Sequence, residues 1–227
     1  METKGKGMAF ESFTVEDIGT RAATIHTLRR GAGPPLLLLH GYPQTHFIWH
    51  KIADRLSEQY IVVLTDLRGY GDSSKPEGGA RHVNYSFRAM AQDQVEVMRH
   101  LGHKTFFVAS HDRGARTAHR MCLDHPQAVR KVCFMDIAPT LRMYRDTSKE
   151  FATKYMWWFF LIQKAPLPEH MIGADAAFFL EKHFEQAKRH FRSAERRGAE
   201  RVQSLLLYAG SNPRELRGLP GIRGHRS

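Results

Sequence analysis

"ASHDRGARTAHRM", residues 109–121, follows the apolar run Phe106, Phe107 and Val108 and decides how the rest of the chain is read. The apolar run has the length of a buried strand, and the residues from Gly114 onward have helical spacing, so Asp112 stands where a strand turns into a helix. Ser110-His111-Asp112-Arg113-Gly114 has the form small-x-nucleophile-x-small. Small residues two positions to either side let strand and helix approach closely around a sharp, strained turn. That turn also aims the Arg113 backbone N–H, at a helix N-terminus, toward developing negative charge. An aspartate before a helix can equally serve only as its N-cap. These five residues alone leave both readings open.

Working outward, apolar runs and helical periods alternate, the pattern of a largely parallel sheet flanked by helices. "AATIHTLRRG" (22–31) reads as an early strand, "PPLLLLHG" (34–41) as a fully buried strand ending in a turn, and "YIVVLTDLRG" (60–69) as another. Between the last two, "FIWHKIADRLSEQ" (47–59) has helical spacing at Phe47, Ile48, Ile52 and Leu56. "NYSFRAMAQDQVEVMRHLG" (84–102) is expected to be a helix with Ser86 as N-cap and Gly102 as its stop. After the strand "FFVAS" come the helix "GARTAHRMCLDHP" and the strand "VRKVCFMDIAP". Ligands of such sheets bind beyond the carboxyl ends of the strands, so the loops that follow the strands should form the site. The turn after "PPLLLLHG" offers the Tyr42 backbone N–H as a second oxyanion donor beside that of Arg113.

The 227 residues allow one domain with a sizeable core. Cys122 and Cys133 lie in apolar-patterned segments without metal-ligand or CxxC spacing, so a reduced protein with no metal and no cofactor is expected. The N-terminus has no apolar signal-like core and no run approaches the roughly 18 apolar residues of a membrane span, so a soluble, cytoplasmic protein is expected. The net charge of +11 would suit nucleic acid, but from Glu181 onward eleven Lys/Arg stand against five Asp/Glu, so the excess is concentrated in the tail. That tail has neither periodic aromatics nor a nucleic-acid-binding module, and no nucleic-acid or membrane partner is expected. Homodimerisation is left open.

The combination "HGYPQTH" (40–46), "DLRGYGDSSKP" (66–76), "NYSFRAMAQDQVEVMRHLG", "HDRGARTAHRM" (111–121) and "MDIAPT" (135–140) resembles the α/β-hydrolase fold family. It is most similar to the fluoroacetate (haloacetate) dehalogenases within the epoxide hydrolase and haloalkane dehalogenase group. The resemblance implies a mostly parallel sheet with flanking helices and a helical cap. It also implies that Asp112 attacks a substrate carbon in line to form an ester, which an activated water then cleaves. A carboxylate, with an ordinary pKa of about 4, is already ionised at neutral pH and needs no base for the first step. Asp136 would be the acid that orients a histidine. Arg113 and Arg116, three residues apart on one helical face, would hold the carboxylate of a short haloacid. Neutral substrates such as epoxides would not need them.

"YMWWFFLIQKAPLPEHMIGADAAFFL" (155–180) is similar to the start of the cap. Trp158 falls where the family places its halide-binding tryptophan. Trp157 stands where the family usually has histidine, a departure that bears on fluoride specifically, because a small, strongly hydrated leaving anion needs more hydrogen-bond donors than chloride or bromide. Tyr155 keeps an epoxide hydrolase as the alternative, because a cap tyrosine can protonate an opening epoxide oxygen.

The expected division is an α/β core over 1–140, a partial cap over 141–180 and a basic tail over 181–227 without the family's pattern. The last core strands and the catalytic histidine would normally follow over about another hundred residues. Only His225 stands late enough in the chain to replace that histidine, and it has no strand before it. "SNPRELRGLPGIRGHRS" (211–227) can be written with codons that, read one nucleotide forward, spell IRENCEDYRASAAID, a segment similar to the family's cap. The tail is therefore expected to be an off-frame translation, leaving a truncated chain that is impaired or inert. Sequencing the gene through and beyond the Ser227 codon is expected to reveal a family-like continuation in the neighbouring frame; a single intact frame without one contradicts this.

Overall fold

Leu36, Leu37, Leu38 and Leu39 are all buried, as in a central strand covered by other elements on both faces. A computed structural model of the chain describes residues 9–188, and this strand lies in the middle of its sheet. In chain order the strands are β1 (Thr14–Gly19), β2 (Thr24–Arg30), β3 (Pro35–Leu39), β4 (Ile61–Thr65), β5 (Phe106–His111) and β6 (Val129–Met135). Their spatial order is β1-β2-β4-β3-β5-β6. β2 joins β1 and β4 antiparallel, and the remaining pairs are parallel. Leu38 is paired with Leu64 on one side and Ala109 on the other.

From β3 the chain moves to one side to make β4 and then to the other to make β5. The carboxyl ends of β3 and β5 therefore flank a topological switch point, where open α/β sheets leave a crevice. Alternation of side chains separates two cores. Leu37 and Leu39 pack with Val63, Met98, Phe106 and Met121 on one face, while Leu36 and Leu38 pack with Trp49, Ala53, Val62 and Leu64 on the other.

The helices are α1 (Ala53–Ser57), α2 (Phe87–His100), α3 (Arg113–Asp124), α4 (Thr140–Arg145), α5 (Lys149–Lys154), α6 (Met156–Leu161), α7 (Leu167–Ala174) and α8 (Ala176–Lys188). The expected cap and stop of α2 are present: the Ala89 N–H donates to Ser86 Oγ at 3.2 Å, and Gly102 has φ of 84°.

Three features depart from the sequence reading. "FIWHKIADRLSEQ" is broken into a 3-10 turn over His46–Trp49 and the short α1, with Ile52 at φ −123° between them. The first turn is pinned separately, because the His46 backbone N–H and ring are both bound to Asp66. β1 was not anticipated: only Ile18 of its six residues is buried, so it lacks a strong apolar period. The boundary expected at Leu180 falls inside α8, which continues to Lys188. His225 and the rest of the basic tail lie outside the described residues.

Asp66, fully buried just after β4, organises the loop that follows. Its Oδ1 accepts the His46 backbone N–H at 2.7 Å and contacts His46 Nδ1 at 2.9 Å, and its Oδ2 accepts the Asp72 N–H at 2.9 Å. Nearby, Arg68 makes a two-pronged ion pair with Asp93 of α2, with both contacts at 2.6 Å. Burial pushes the Asp66 carboxyl up, but the hydrogen bonds and proximity of His46, with His40 behind it, outweigh this and hold it well below the usual carboxylate range. A depressed pKa means stability that is present above the unfolded-state value of about 4 and is lost as the pH falls below it. Asp66→Ala is expected to cost about 3 kcal/mol or more at neutral pH, because it leaves buried donors unpaired. Urea unfolding at a series of pH values should show the gap between variant and parent closing below about pH 4.

Candidate active site

The turn between β5 and α3 holds Asp112 at φ 47°, ψ −113°, a conformation that costs an ordinary L-residue energy. Two glycines make room for it. A Cβ on Gly114 would lie 2.4 Å from the His40 carbonyl oxygen and 2.7 Å from that of Leu39, so α3 begins almost against the end of β3. A Cβ on Gly41 would lie 2.5 Å from Asp112 Cβ and 2.7 Å from its Oδ1. Ser110, fully buried, donates its hydroxyl to the Cys133 carbonyl at 3.0 Å and ties the turn to β6.

The Asp112 side chain makes no capping hydrogen bond to α3. Its Oδ1 instead accepts the Tyr42 backbone N–H at 2.8 Å, across the crevice from the turn after β3. Gln44 braces that turn from the other side: its Oε1 accepts the Gly41 N–H at 3.0 Å and lies 3.1 Å from His111 Nδ1. His111 Nε2 is 3.7 Å from Asp136 Oδ2. Asp136 stands after β6 at φ 52° with 73% of its side chain exposed.

The two arginines are turned inward but differ in what they hold. Arg116 is 7% exposed, and its guanidinium carbon sits 3.8 Å from the centre of the Trp158 ring. It donates to Thr140 Oγ1 at 2.5 Å and to Met143 Sδ at 3.3 Å, which fastens α4 to α3. Burial lowers its pKa to about 10, opposed by the charge of Asp112 and reinforced by that of Arg113. Arg113 stacks over Phe87 at 5.0 Å and lies beside the buried Tyr70 hydroxyl, while its buried Nε and Nη2 make no well-formed hydrogen bond. Arg113 thus keeps donor capacity beside Asp112, whereas part of the Arg116 fork is engaged by the helical segment above.

Trp158 packs with Tyr144 at 5.9 Å and with Tyr155 at 6.1 Å. Tyr155 is 44% exposed and stacked on Phe151 at 4.7 Å, so the fold does not draw it in with Asp112. The inward tyrosine is Tyr144, which sequence reasoning missed. Its hydroxyl is buried without a partner, and burial pushes it up to about 12 against the lowering effect of Arg116 and Arg113. Its place in α4, only four residues after Thr140 at the exit from β6, was the available signal. Trp157 packs against Phe179 at 5.0 Å and His183 at 5.3 Å, both on α8. His183 was also missed, because the chain was divided at Leu180. Its spacing of four from Phe179 and three from Leu180 puts it on the same helical face.

Comparison with known proteins identifies the family. Residues 34–214 match the α/β-hydrolase fold family model. The chain is 49% identical over 172 residues to a fluoroacetate dehalogenase of Burkholderia sp, a match covering 76% of this chain and 57% of that protein. It is 38% identical over 117 residues to a soluble epoxide hydrolase of Corynebacterium sp. (strain C12), covering 52% of this chain and 39% of that one. A crystal structure from Nostoc sp PCC 7120, described as an α/β hydrolase, superposes with a TM-score of 0.87 at 49% identity, covering 92% of this chain and 70% of that chain. The chain belongs to the α/β-hydrolase fold family and is of enzyme lineage. The matched region is about half the length of these curated relatives. Among the described residues no helix is long and apolar enough to cross a membrane.

Because backbone carbonyls, rather than flexible side chains, face Gly114, Gly114→Ala is expected to destabilise the fold by about 1–3 kcal/mol, as overpacking does. Urea unfolding of the variant measures this.

Proposed function

We propose that this site cleaves the carbon–halogen bond of a short haloacid through an ester on Asp112. The observation that carries the reading is the pair of inward guanidiniums beside a carboxylate on a strained turn, with Arg113 keeping buried donor capacity. A substrate carboxylate would satisfy those donors with charge-assisted hydrogen bonds, and the Tyr144 hydroxyl stands ready as a further donor. Desolvated donors without a well-placed acceptor are costly, so the site favours an anionic ligand over a neutral one.

The chemistry follows from which oxygen is held. Tyr42 engages Oδ1, leaving Oδ2 to attack the halogen-bearing carbon in line as the halide departs. Trp158, placed by Arg116 and Tyr144, would meet the leaving halide with its indole N–H. Water then adds to Cγ of the ester. The negative charge develops on Oδ1, where the Tyr42 N–H already points and where the Arg113 backbone N–H would join it. Asp136 would orient an imidazole for this second step, yet among the described residues its carboxylate is mostly exposed and faces only His111. Ester hydrolysis is therefore the slow half of the cycle. The similarity to a fluoroacetate dehalogenase supports a haloacid substrate.

An epoxide substrate is the second reading, favoured by the similarity to epoxide hydrolases and by the buried Tyr144 hydroxyl, which could protonate an opening ring. The two readings separate on charge. Incubated with chloroacetate, the protein is expected to give a burst of one equivalent of chloride and an Asp112 adduct visible by intact-protein mass spectrometry, followed by slower release. Arg113→Ala should depress the burst rate constant by about 10²-fold or more, the loss of a desolvated charge pair, and leave styrene oxide opening little changed. Styrene oxide turnover without a chloroacetate burst would favour the epoxide reading instead.

A further inference from the structure

Arg116 lies one turn into α3 from Asp112, and its backbone N–H donates to the Asp112 carbonyl at 3.1 Å. Its side chain runs to the segment that follows β6. Nη1 donates to Thr140 Oγ1 at 2.5 Å and Nη2 to Met143 Sδ at 3.3 Å, while the Trp158 ring covers the guanidinium at 3.8 Å. Both terminal nitrogens therefore have partners on α4. The attachment matters because α4, α5 and α6 contain no buried residue of their own. Thr140 has no capping duty either, since α4 begins after Pro139 without a side-chain cap. Its hydroxyl oxygen is given to Arg116 instead.

We propose that Thr140 is a specificity-determining residue, an internal acceptor that occupies Arg116 in the empty site and is displaced by the substrate carboxylate. The inference rests on the haloacid reading above, in which Arg116 helps to hold that carboxylate. A carboxylate takes a guanidinium in its plane through two parallel hydrogen bonds. Either edge open to it includes at least one terminal nitrogen already bonded to α4. The exchange runs downhill, because a charge-assisted bond replaces one to a neutral hydroxyl, and the thioether of Met143 is a weaker acceptor still. A neutral substrate offers no such replacement and leaves Thr140 in place. Thr140 thus weakens the binding of anions by the worth of the bond it gives up.

Linkage makes the effect reciprocal. An anion seated on Arg116 removes these ties between α3 and α4, so α4 loosens as the ligand binds. Trp158 is held to Arg116 by stacking rather than by a hydrogen bond, and it keeps its place over the guanidinium through the exchange.

The test uses the full chain and follows the chloride burst as a function of chloroacetate concentration. Thr140→Val keeps the shape and removes the acceptor. It is expected to lower the half-saturating concentration about fivefold, the worth of one neutral hydrogen bond, with the saturating burst rate constant within about twofold of the parent. Thr140→Ser, which keeps the hydroxyl, should match the parent, and Met143→Leu should shift the half-saturating concentration the same way by a smaller factor. Hydrogen exchange of the α4 amides is followed with acetate as an unreactive carboxylate. Saturating acetate should quicken exchange in the parent, whereas in Thr140→Val exchange should already be fast and acetate should not change it. An unchanged or raised half-saturating concentration in Thr140→Val, or α4 exchange in the parent that acetate leaves alone or slows, overturns the competition while the parent's burst still supports the haloacid reading. Absence of a chloroacetate burst in the parent overturns that reading and this one with it.

Discussion

The hydrogen bond of 2.8 Å from the Tyr42 N–H to Asp112 Oδ1 spans the crevice between the ends of β3 and β5. It requires two close approaches, with Gly114 against the β3 carbonyls and Gly41 against the Asp112 side chain. It also requires Asp112 to keep a backbone conformation that most residues avoid. The strain is sustained because several independent contacts fix the same turn. Ser110 is bonded to β6, Gln44 braces the opposing loop, and Leu36 to Leu39 of β3 across the crevice are buried. A single carboxylate oxygen is thereby committed to a backbone donor.

Charge around that carboxylate is unevenly distributed. Two arginines and an inward tyrosine crowd one side, while His183, whose pKa burial lowers, packs between the Tyr42 and Trp157 rings. Arg116 serves two regions at once, since it lies beside Asp112 while binding Thr140 and Met143 of α4. The helical segment that follows β6 is consequently coupled to the site through a buried guanidinium. The Asp66 cluster does comparable work on the other side of β3, where one buried carboxylate fixes the His46 turn and the loop after β4. Both are polar centres whose groups must stay paired, because an orphaned buried charge costs more than the pair contributes.

Much of the core was legible because its elements carry strong local signals. The leucine run of β3, the Ser86 cap and Gly102 stop of α2, and the small-x-Asp-x-small turn each state their structure within a few residues. The elements that were misread lack such signals or take their shape from elsewhere. β1 is an exposed edge strand with one buried residue, and the turn at His46 is bent toward a carboxylate twenty positions later. Among the candidate site residues, the small-x-Asp-x-small turn drew attention to Asp112, and the resemblance to a known family drew attention to Arg113 and Arg116. Tyr144 and His183 did not, since nothing local distinguishes a helical tyrosine that faces inward from one, like Tyr155, that faces out.

The sequence by itself determined the strand–turn–helix geometry at Asp112 and the order of elements around it, because glycine and carboxylate placement act over a few bonds. Tertiary structure alone decided which oxygen of Asp112 is held and which arginine keeps donor capacity. It also decided which tyrosine turns inward beside the two arginines and which histidine packs on Tyr42. Those outcomes depend on the packing of α4, α6 and α8 over the sheet, where burial and neighbouring charge, rather than local spacing, set what each side chain meets.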